Sequence, residues 1–255
     1  MTSNIVKSKL TLLGTITHCP NVKAHFRNQA TPCREIIDSQ GMSTLEDFQV
    51  PEPWNGKIER APLLFISSNP SISEKEQYPS WNAPETRLQD FFQHRFGGGE
   101  KQWVKDGKYA LTQDGSYERA TPYWSEIKNR AFELLSKKAV PGTDYAISEI
   151  VHCKSRNNIG VDEALKECAQ RYLSRVLEIS SAAVVVYVGK KAEHYIKDVL
   201  EINENQSLVG PLMHGGRKRL ILFLPAPGSS LPRKIDKVFS KEEQEMIRSF
   251  LAEAA

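Results

Sequence analysis

Polar side chains that could hold a ligand or move a proton gather at three points of the sequence, each directly after an apolar run. These segments, 67–70, 149–153 and 225–230, carry hydroxyl, amide, carboxyl, imidazole and thiol groups. If the apolar runs are parallel strands, their carboxyl ends meet at one edge of the sheet, where open α/β sheets bind their ligands. We therefore predict that the three segments line a single cleft.

Four cysteines form a second set of reactive side chains, at positions 19, 33, 153 and 168. Disulfides are rare in cytosolic proteins, so these residues are interpreted either as buried free thiols or as metal ligands.

The strands that would position the polar segments are indicated by four continuous apolar runs, which are typical of strands buried on both faces. They span 62–67, 144–151, 182–189 and 218–225. Apolar residues at helical spacing follow in three stretches: 161–177, 192–200 and 240–251. The alternation predicts an α/β fold with three α/β/α layers around a central, mainly parallel four-stranded sheet.

The length of 255 residues fits a single domain. We predict an N-terminal extension over 1–60 and an insertion or long surface loop over about 84–120, where Gly97, Gly98 and Gly99 interrupt the pattern. The net charge of +3 permits a polyanionic partner without requiring one. No apolar run approaches the length of a membrane helix, so we expect a cytoplasmic, monomeric protein without membrane contact.

Four motifs of the chain match, in order and spacing, motifs of one known enzyme family. Residues 67–71, Ser-Ser-Asn-Pro-Ser, are similar to a Gly-x-Asn-Pro-Gly-like turn after the first core strand. Residues 224–229 follow, with substitutions, a His-Pro-Ser-Pro-Leu-Ser or Asn-Pro-Ser-Gly-Leu-Ser loop. Residues 151–173 are similar to a Lys-Cys-Arg-Pro-Pro…Asn-Arg…Glu…Cys-x-x-Tyr-Leu segment, and 184–192 to the Val-Leu-Gly-x-x-Ala after it. In these motifs the chain resembles the uracil-DNA glycosylase superfamily, and most closely its iron–sulfur-bearing branches.

The resemblance implies an enzyme that flips a nucleotide out of DNA and hydrolyses the bond between base and deoxyribose, leaving an abasic site. Asn69 occupies the position of the family's water-positioning Asp, Glu or Asn, which makes it the expected catalytic residue. The alternative is that Asn69 caps a turn before proline. Ser67 and Ser68 are expected to contact the base, with Ser67 replacing the family's glycine.

Leu224 is the main departure from the family, because it stands where the family has its catalytic His, or Asn in another branch. Leucine cannot donate a hydrogen bond to a departing base. Either another group does so, or the base needs less help, or the chain is inactive. His214 and Ser229 are the candidate replacements.

Glu149 lies four residues before Cys153, where the iron–sulfur branches carry an Asn that contacts the edge of uracil. A carboxylate accepts but does not donate, so it would repel O4 of uracil and accept from N4 of cytosine. This predicts a cytosine-derived base. Because excising ordinary cytosine would destroy the host genome, the base would carry a mark such as a bulky 5-substituent, as in some phage genomes, which suggests phage defence. The alternatives are that Glu149 points away from the cleft or that Ser148 takes its place.

Two aromatic residues, Tyr78 and Trp81, are candidates for stacking on the flipped base, with Trp81 favoured; either could instead belong to the core. Contacts to DNA are expected from the last loop and the residues after it: Pro225, Gly228, Ser229, Ser230, Leu231, Arg233 and Lys234. Gly228 replaces the family's wedge leucine, so Leu231 is expected to enter the duplex instead. Arg233 and Lys234, with the basic residues 217–219, would contact phosphates, or would simply form a solvated basic face.

The resemblance also implies a structural [4Fe-4S] cluster held by Cys19, Cys33, Cys153 and Cys168. The spacing of the last two matches the family, whereas the first two are farther apart than in the family. Zinc and free thiols remain alternatives. Three functions also remain open: excision of a modified cytosine-like base, uracil excision in base-excision repair, and a catalytically inactive nucleic-acid-binding module of the same fold.

Overall fold

The computed structural model describes residues 2–120, 122–231 and 234–254. Its main sheet has six strands in the order β1-β6-β2-β7-β9-β8. They are β1 (Trp54–Asn55), β2 (Leu63–Ser67), β6 (Tyr145–Glu149), β7 (Val184–Val188), β8 (Leu208–His214) and β9 (Arg217–Leu224). A small second sheet contains β3 (Val104–Lys105), β4 (Tyr109–Leu111) and β5 (Tyr117–Arg119).

The four central strands are parallel, and each coincides with one of the apolar runs of the sequence. The predicted α/β class and mainly parallel sheet are confirmed, but the prediction of four strands is wrong, because β1 and β8 add antiparallel edges. The strand β1 has only two residues, and β8 contains Gly210 and Pro211 and is largely exposed. Neither edge has the continuous apolar pattern that revealed the central strands.

Ten helices of the described residues surround the sheet. They are α1 (Thr2–Thr17), α2 (Pro20–Phe26), α3 (Arg34–Asp38), α4 (Glu85–His94), α5 (Pro122–Leu135), α6 (Val161–Cys168), α7 (Ser174–Ile179), α8 (Lys190–Val199), α9 (Ile235–Val238) and α10 (Lys241–Glu253). A π-helical turn, Ala169–Leu173, joins α6 to α7. The helix α10 begins with the expected capping box between Ser240 and Glu243. No helix of the described residues is long and apolar enough to cross a membrane.

Both faces of the sheet are covered, as three layers require. Along β2, Leu64 and Ile66 pack into the layer that contains α1, α6 and α8. Leu63 and Phe65 point the other way, into the layer of α5 and α10. This alternation explains why the strand is apolar at every position until it ends at Ser67.

The segment 84–120 is not the exposed loop that its glycines suggested. Leu88, Phe91 and Phe92 on α4 are fully buried, and Trp103 beside β3 is nearly so. The helix α4 packs into the main core, and the strands of the small sheet follow it in the chain. This segment is therefore part of the folded domain.

The connections of the sheet change direction beside β2. From β2 the chain runs to β6 on one side, whereas from β7 it runs to β9 on the other. Crevices at such a switch point are the usual ligand sites of open α/β sheets. The turn that starts at Ser67 lies at this point.

Candidate active site

A cavity of about 400 Å³ opens where β2 and β6 end. The turn after β2 contributes Ser67, Asn69 and Ser71, and β6 contributes its last residue, Glu149. Two of the three polar segments therefore meet, as predicted. The third segment, 225–230, does not line this cavity. Its strand, β9, lies two positions from β2, so this loop borders the site from about 10 Å away.

Asn69 is half-buried and lines the cavity. Its Oδ1 accepts a hydrogen bond from the Ser68 hydroxyl at 3.0 Å, and its Nδ2 donates to the Pro70 carbonyl at 3.2 Å. These two bonds fix the amide plane and leave Oδ1 with a second lone pair for a further donor. The geometry fits an amide that orients a water molecule. Ser68 supports Asn69 and does not itself line the cavity.

Glu149 lies against Ser67, as the parallel register of β2 and β6 requires. Its carboxyl group accepts a very short hydrogen bond from the Ser67 hydroxyl, and the side chain is 4% exposed. Glu149 lines the cavity, so neither alternative, a side chain pointing away or Ser148 in its place, is correct; Ser148 instead donates to the Pro53 carbonyl.

Burial raises the pKa of Glu149 well above its ordinary value, and the charge of Glu52 raises it further, against the opposing effect of the Ser67 hydrogen bond. Burial therefore favours the neutral form of this side chain. In that form the carboxyl group donates through one oxygen and accepts through the other, whereas the sequence prediction treated it as an acceptor only.

Four buried charges form a cluster at the inner end of the cavity, and sequence analysis missed all of them. Arg95 is 1% exposed and contacts Glu52 at 2.9 Å and Glu76 at 2.5 Å. Lys154 lies 3.7 Å from Glu76. The charges of Arg95 and Lys154 outweigh the effect of burial and lower the pKa of Glu52, which stays ionised. The two cations and two anions of the cluster balance each other.

The aromatic residues that line the cavity are Tyr123 and Trp124, at the start of α5, and not the two that were predicted. Tyr78 is buried in the core, with the Lys154 ammonium 3.5 Å from its ring centre. Trp81 packs edge-on against His18 on the N-terminal helices. The last residue of this segment that lines the cavity is Glu76, and neither Tyr78 nor Trp81 lines it. The adjacent pair Tyr-Trp in the sequence could have indicated the correct ones.

His214 and Ser229 were the candidates to replace the family's catalytic histidine, and neither lines the cavity. Leu224 is 1% exposed and packs into the layer of α5 and α10. His214 is also buried, and its Nε2 forms a 2.7 Å hydrogen bond with the Tyr187 hydroxyl. Ser229 lies in the bordering loop. No described residue therefore replaces the family's imidazole at its usual position.

The loop after β9 presents the residues that were predicted to bind DNA. Its Pro225 carbonyl accepts a hydrogen bond from Arg130 at 2.8 Å, and Gly228 has a φ of 88°, which favours glycine. Leu231 is 48% exposed, unusual for leucine, and Ser230 and Lys234 are also exposed. The predicted phosphate contact Arg233 lies outside the described residues.

The basic residues 217–219 are not placed to join that loop. They begin β9, whereas the loop follows its other end. Arg219 is fully buried and donates to backbone carbonyls, among them those of Ala182 and Ser180. Its predicted role as a phosphate contact is wrong, because its guanidinium anchors the β8–β9 hairpin.

All four cysteines are buried and line one small cavity beneath the N-terminal helices. Three of the sulfurs accept hydrogen bonds, each from a different residue. Tyr172 contacts Cys19 at 3.2 Å, Asn21 contacts Cys33 at 3.5 Å, and the backbone N–H of His152 contacts Cys168 at 3.4 Å. Across the described chain, no three His, Cys, Asp or Glu side chains are placed to share a single metal ion.

The cavity extends outward to the small sheet. Ala110 and Thr112 from β4, and Glu118 and Arg119 from β5, line this outer part. Lys75 pairs with Glu118 at 3.1 Å. Glu118, Arg119 and Lys75 are exposed, so the charged part of the outer wall contacts solvent, unlike the buried end near Glu149.

Comparison with known protein families identifies the family to which the chain belongs. A comparison with curated proteins finds no match. A family model, described as the Uracil DNA glycosylase superfamily, matches residues 53–251, which include every strand of the main sheet and every residue that lines the cavity except Glu52. The chain therefore belongs to the uracil-DNA glycosylase superfamily.

Proposed function

We propose that the protein is a DNA glycosylase that excises a modified, cytosine-derived base and leaves an abasic site. Membership of the superfamily implies glycosylase-type activity on DNA. The observation that carries the choice of base is Glu149, which lies at the buried end of the cavity where it can contact the edge of a flipped base. The N4–H of cytosine can donate to the Glu149 carboxyl group in either protonation state, whereas O4 of uracil finds a donor there only in the neutral acid.

Asn69 is the group that orients the attacking water in this proposal. An amide oxygen is a poor base, which suits a reaction in which the base departs first and water then captures the sugar cation. Tyr123 takes the stacking role that was predicted for Trp81, because Arg95 lies 4.6 Å from the centre of the Trp124 ring and occupies that aromatic face.

The size of the cavity supports a base with a substituent. At about 400 Å³ it falls within the range of sites for drug-sized ligands, about 300–1,000 Å³, and an unmodified pyrimidine would fill only part of it. The outer part, with Thr112, Glu118 and Arg119, offers hydrogen-bonding groups to a polar 5-substituent. Phage DNA that carries such bases is the proposed target, and defence against phage is the proposed role.

The bordering loop would hold the duplex. Leu231 is proposed as the wedge that fills the place of the flipped nucleotide, and Lys234 as a phosphate contact. An exposed leucine beside an exposed lysine fits this use, since the first avoids water by entering the base stack and the second neutralises the backbone.

The experiment compares four duplexes that differ in one base: cytosine, 5-hydroxymethylcytosine, its glucosylated form, and uracil. Each is incubated with the protein and then treated with alkali, which breaks the strand at abasic sites. We expect cleavage of a modified-cytosine duplex and none of the cytosine duplex. Cleavage of uracil alone would favour base-excision repair, and cleavage of none would favour a DNA-binding module.

We also propose that the four cysteines hold a [4Fe-4S] cluster. The four sulfurs share one cavity, and three of them receive hydrogen bonds, as cluster thiolates do. Cys19 and Cys33 precede α2 and α3, whereas Cys153 follows β6 and Cys168 ends α6. A cluster there would connect the N-terminal helices to the sheet.

Replacing Cys153 with serine is therefore expected to remove the visible absorbance of the protein and most of its iron. It should also lower the melting temperature, because the N-terminal helices lose their connection. The measurements are the absorption spectrum and the iron and sulfide content after anaerobic purification. Ser155→Ala, in the same loop, is the control and should keep full iron content. A colourless, iron-free wild-type protein would contradict the proposal.

A further inference from the structure

One ionisable group at the buried end of the cavity has no ion-pair partner. Arg95 and Lys154 are engaged with Glu52 and Glu76, and no described cation forms an ion pair with Glu149. Its hydrogen-bond partner is Ser67, a neutral hydroxyl. A buried carboxyl group without a cation is best accommodated as the neutral acid.

We infer that Glu149 is a catalytic general acid, which gives its proton to N3 of the flipped cytosine-type base as the base leaves. This inference rests on the proposed function, because it assigns a step of that reaction to a residue of the same cavity. It differs from a role in recognition alone, since it requires a proton to move.

The step balances without any further reactant. The bond between C1′ and N1 breaks, and its electron pair passes into the ring of the base. N3 takes the proton of Glu149, so the base departs uncharged and Glu149 becomes a carboxylate. The water held by Asn69 supplies hydroxide to C1′ and releases a proton, and the carboxylate is reprotonated before the next turnover.

Such an acid would account for the leucine at position 224. An imidazole or amide there would stabilise a base that leaves as an anion, but a base that is protonated as it leaves carries no negative charge. Uracil cannot use the same route, because its N3 already carries a hydrogen. The neutral acid at Glu149 and the leucine at position 224 therefore favour cytosine-type bases through the proton transfer, because a neutral carboxyl group can hydrogen-bond to the edge of either base.

The groups that face Glu149 are consistent with an acid at neutral pH. Ser67 comes from β2, Glu52 from the segment before β1, and Tyr123 from α5. Burial and the Glu52 charge raise the pKa of Glu149, and burial likewise raises that of Tyr123, which stays uncharged. Because the acid must be protonated, the rate is expected to fall as pH rises through the raised pKa of Glu149.

The test is Glu149→Gln in the full chain, assayed on the modified-cytosine duplex that the wild type cleaves best. Glutamine keeps one donor and one acceptor but cannot release a proton. We expect duplex affinity to change less than about threefold, while the single-turnover rate falls about 10²-fold or more. The alkaline decline of the rate should be present in the wild type and absent from the residual activity of the variant.

A second measurement does not depend on turnover. The infrared difference between wild type and Glu149→Gln at pH 7 should contain the carbonyl band of a protonated carboxyl group. A carboxylate band instead, or an unchanged rate in the variant, would overturn the inference while leaving the glycosylase proposal intact. Failure of the wild type to cleave any duplex would overturn the glycosylase proposal, and this role with it, whatever the infrared result.

Discussion

Replacing Asn69 with alanine is expected to lower the single-turnover rate of base excision by about 10²–10³-fold, because the attacking water loses the group that orients it. The amide lines the cavity and is fixed by Ser68 and Pro70, so its oxygen is presented in one orientation. The measurement is the rate of abasic-site formation at saturating enzyme. Binding of the duplex should change little, since Asn69 contributes to the sugar side of the reaction.

Two further variants test whether a loss of activity in Asn69→Ala is due to the missing amide oxygen. Asn205→Ala removes an exposed amide that does not line the cavity and should keep the wild-type rate. Asn69→Asp retains an oxygen that can accept from water and should keep far more activity than Asn69→Ala. If Asn69→Ala cleaves as fast as Asn205→Ala, then Asn69 is only a turn residue.

Replacing Arg95 with methionine is expected to lower the free energy of unfolding by about 3–5 kcal/mol, because Glu52 and Glu76 would remain buried without their main cation. Its guanidinium contacts both carboxylates and also lies 4.9 Å from the centre of the Phe91 ring. Denaturant unfolding at neutral pH measures the change. The control is Arg34→Met, which removes an arginine whose side chain is 78% exposed and should cost about 0–1 kcal/mol.

The cost of Arg95→Met should shrink in acid. In the wild type the pKa of Glu52 is lowered, so its contribution to stability is present above the unfolded value of about 4.3 and is lost as pH falls through the folded value. In the variant, burial without Arg95 raises that pKa, so protonation at low pH relieves the penalty. Adding Glu76→Gln to the variant should recover part of the stability at pH 7. Equal stability of Arg95→Met and Arg34→Met would contradict this account.

Burial on both faces made the central strands visible in the sequence. Every position of β7 is apolar, and polar residues occur only at the last position of β2 and the last two positions of β6. Asn69 and Glu149 each lie at the carboxyl end of such a strand. Because these ends meet at one edge of a parallel sheet, the sequence predicted that both residues line one cavity. The edge strands were missed because two residues of β1, or a largely exposed β8, carry no such pattern.

The cluster of four buried charges at the inner end of the cavity was not predictable from strand ends. Glu52 and Arg95 are 43 positions apart, and neither lies at the end of a buried strand. Their meeting depends on how α4 packs against the sheet, which is a tertiary property. The prediction that Trp81 stacks on the base did not place it in the cavity for a related reason. Proximity to Asn69 in the sequence does not determine the direction in which the chain continues. The raised pKa of Glu149 likewise follows from its burial and from the nearby charge of Glu52, which a sequence does not display.

The inward position of Leu224 has a consequence for anyone who wishes to convert this protein into an ordinary uracil excision enzyme. Exchanging the leucine for histidine would place an imidazole in an apolar layer with no polar partner, where its desolvation opposes folding. The new side chain would also face away from the cavity. Re-engineering must therefore redirect the end of β9 before changing its residue, because the apolar packing of this strand end disfavours any polar side chain there.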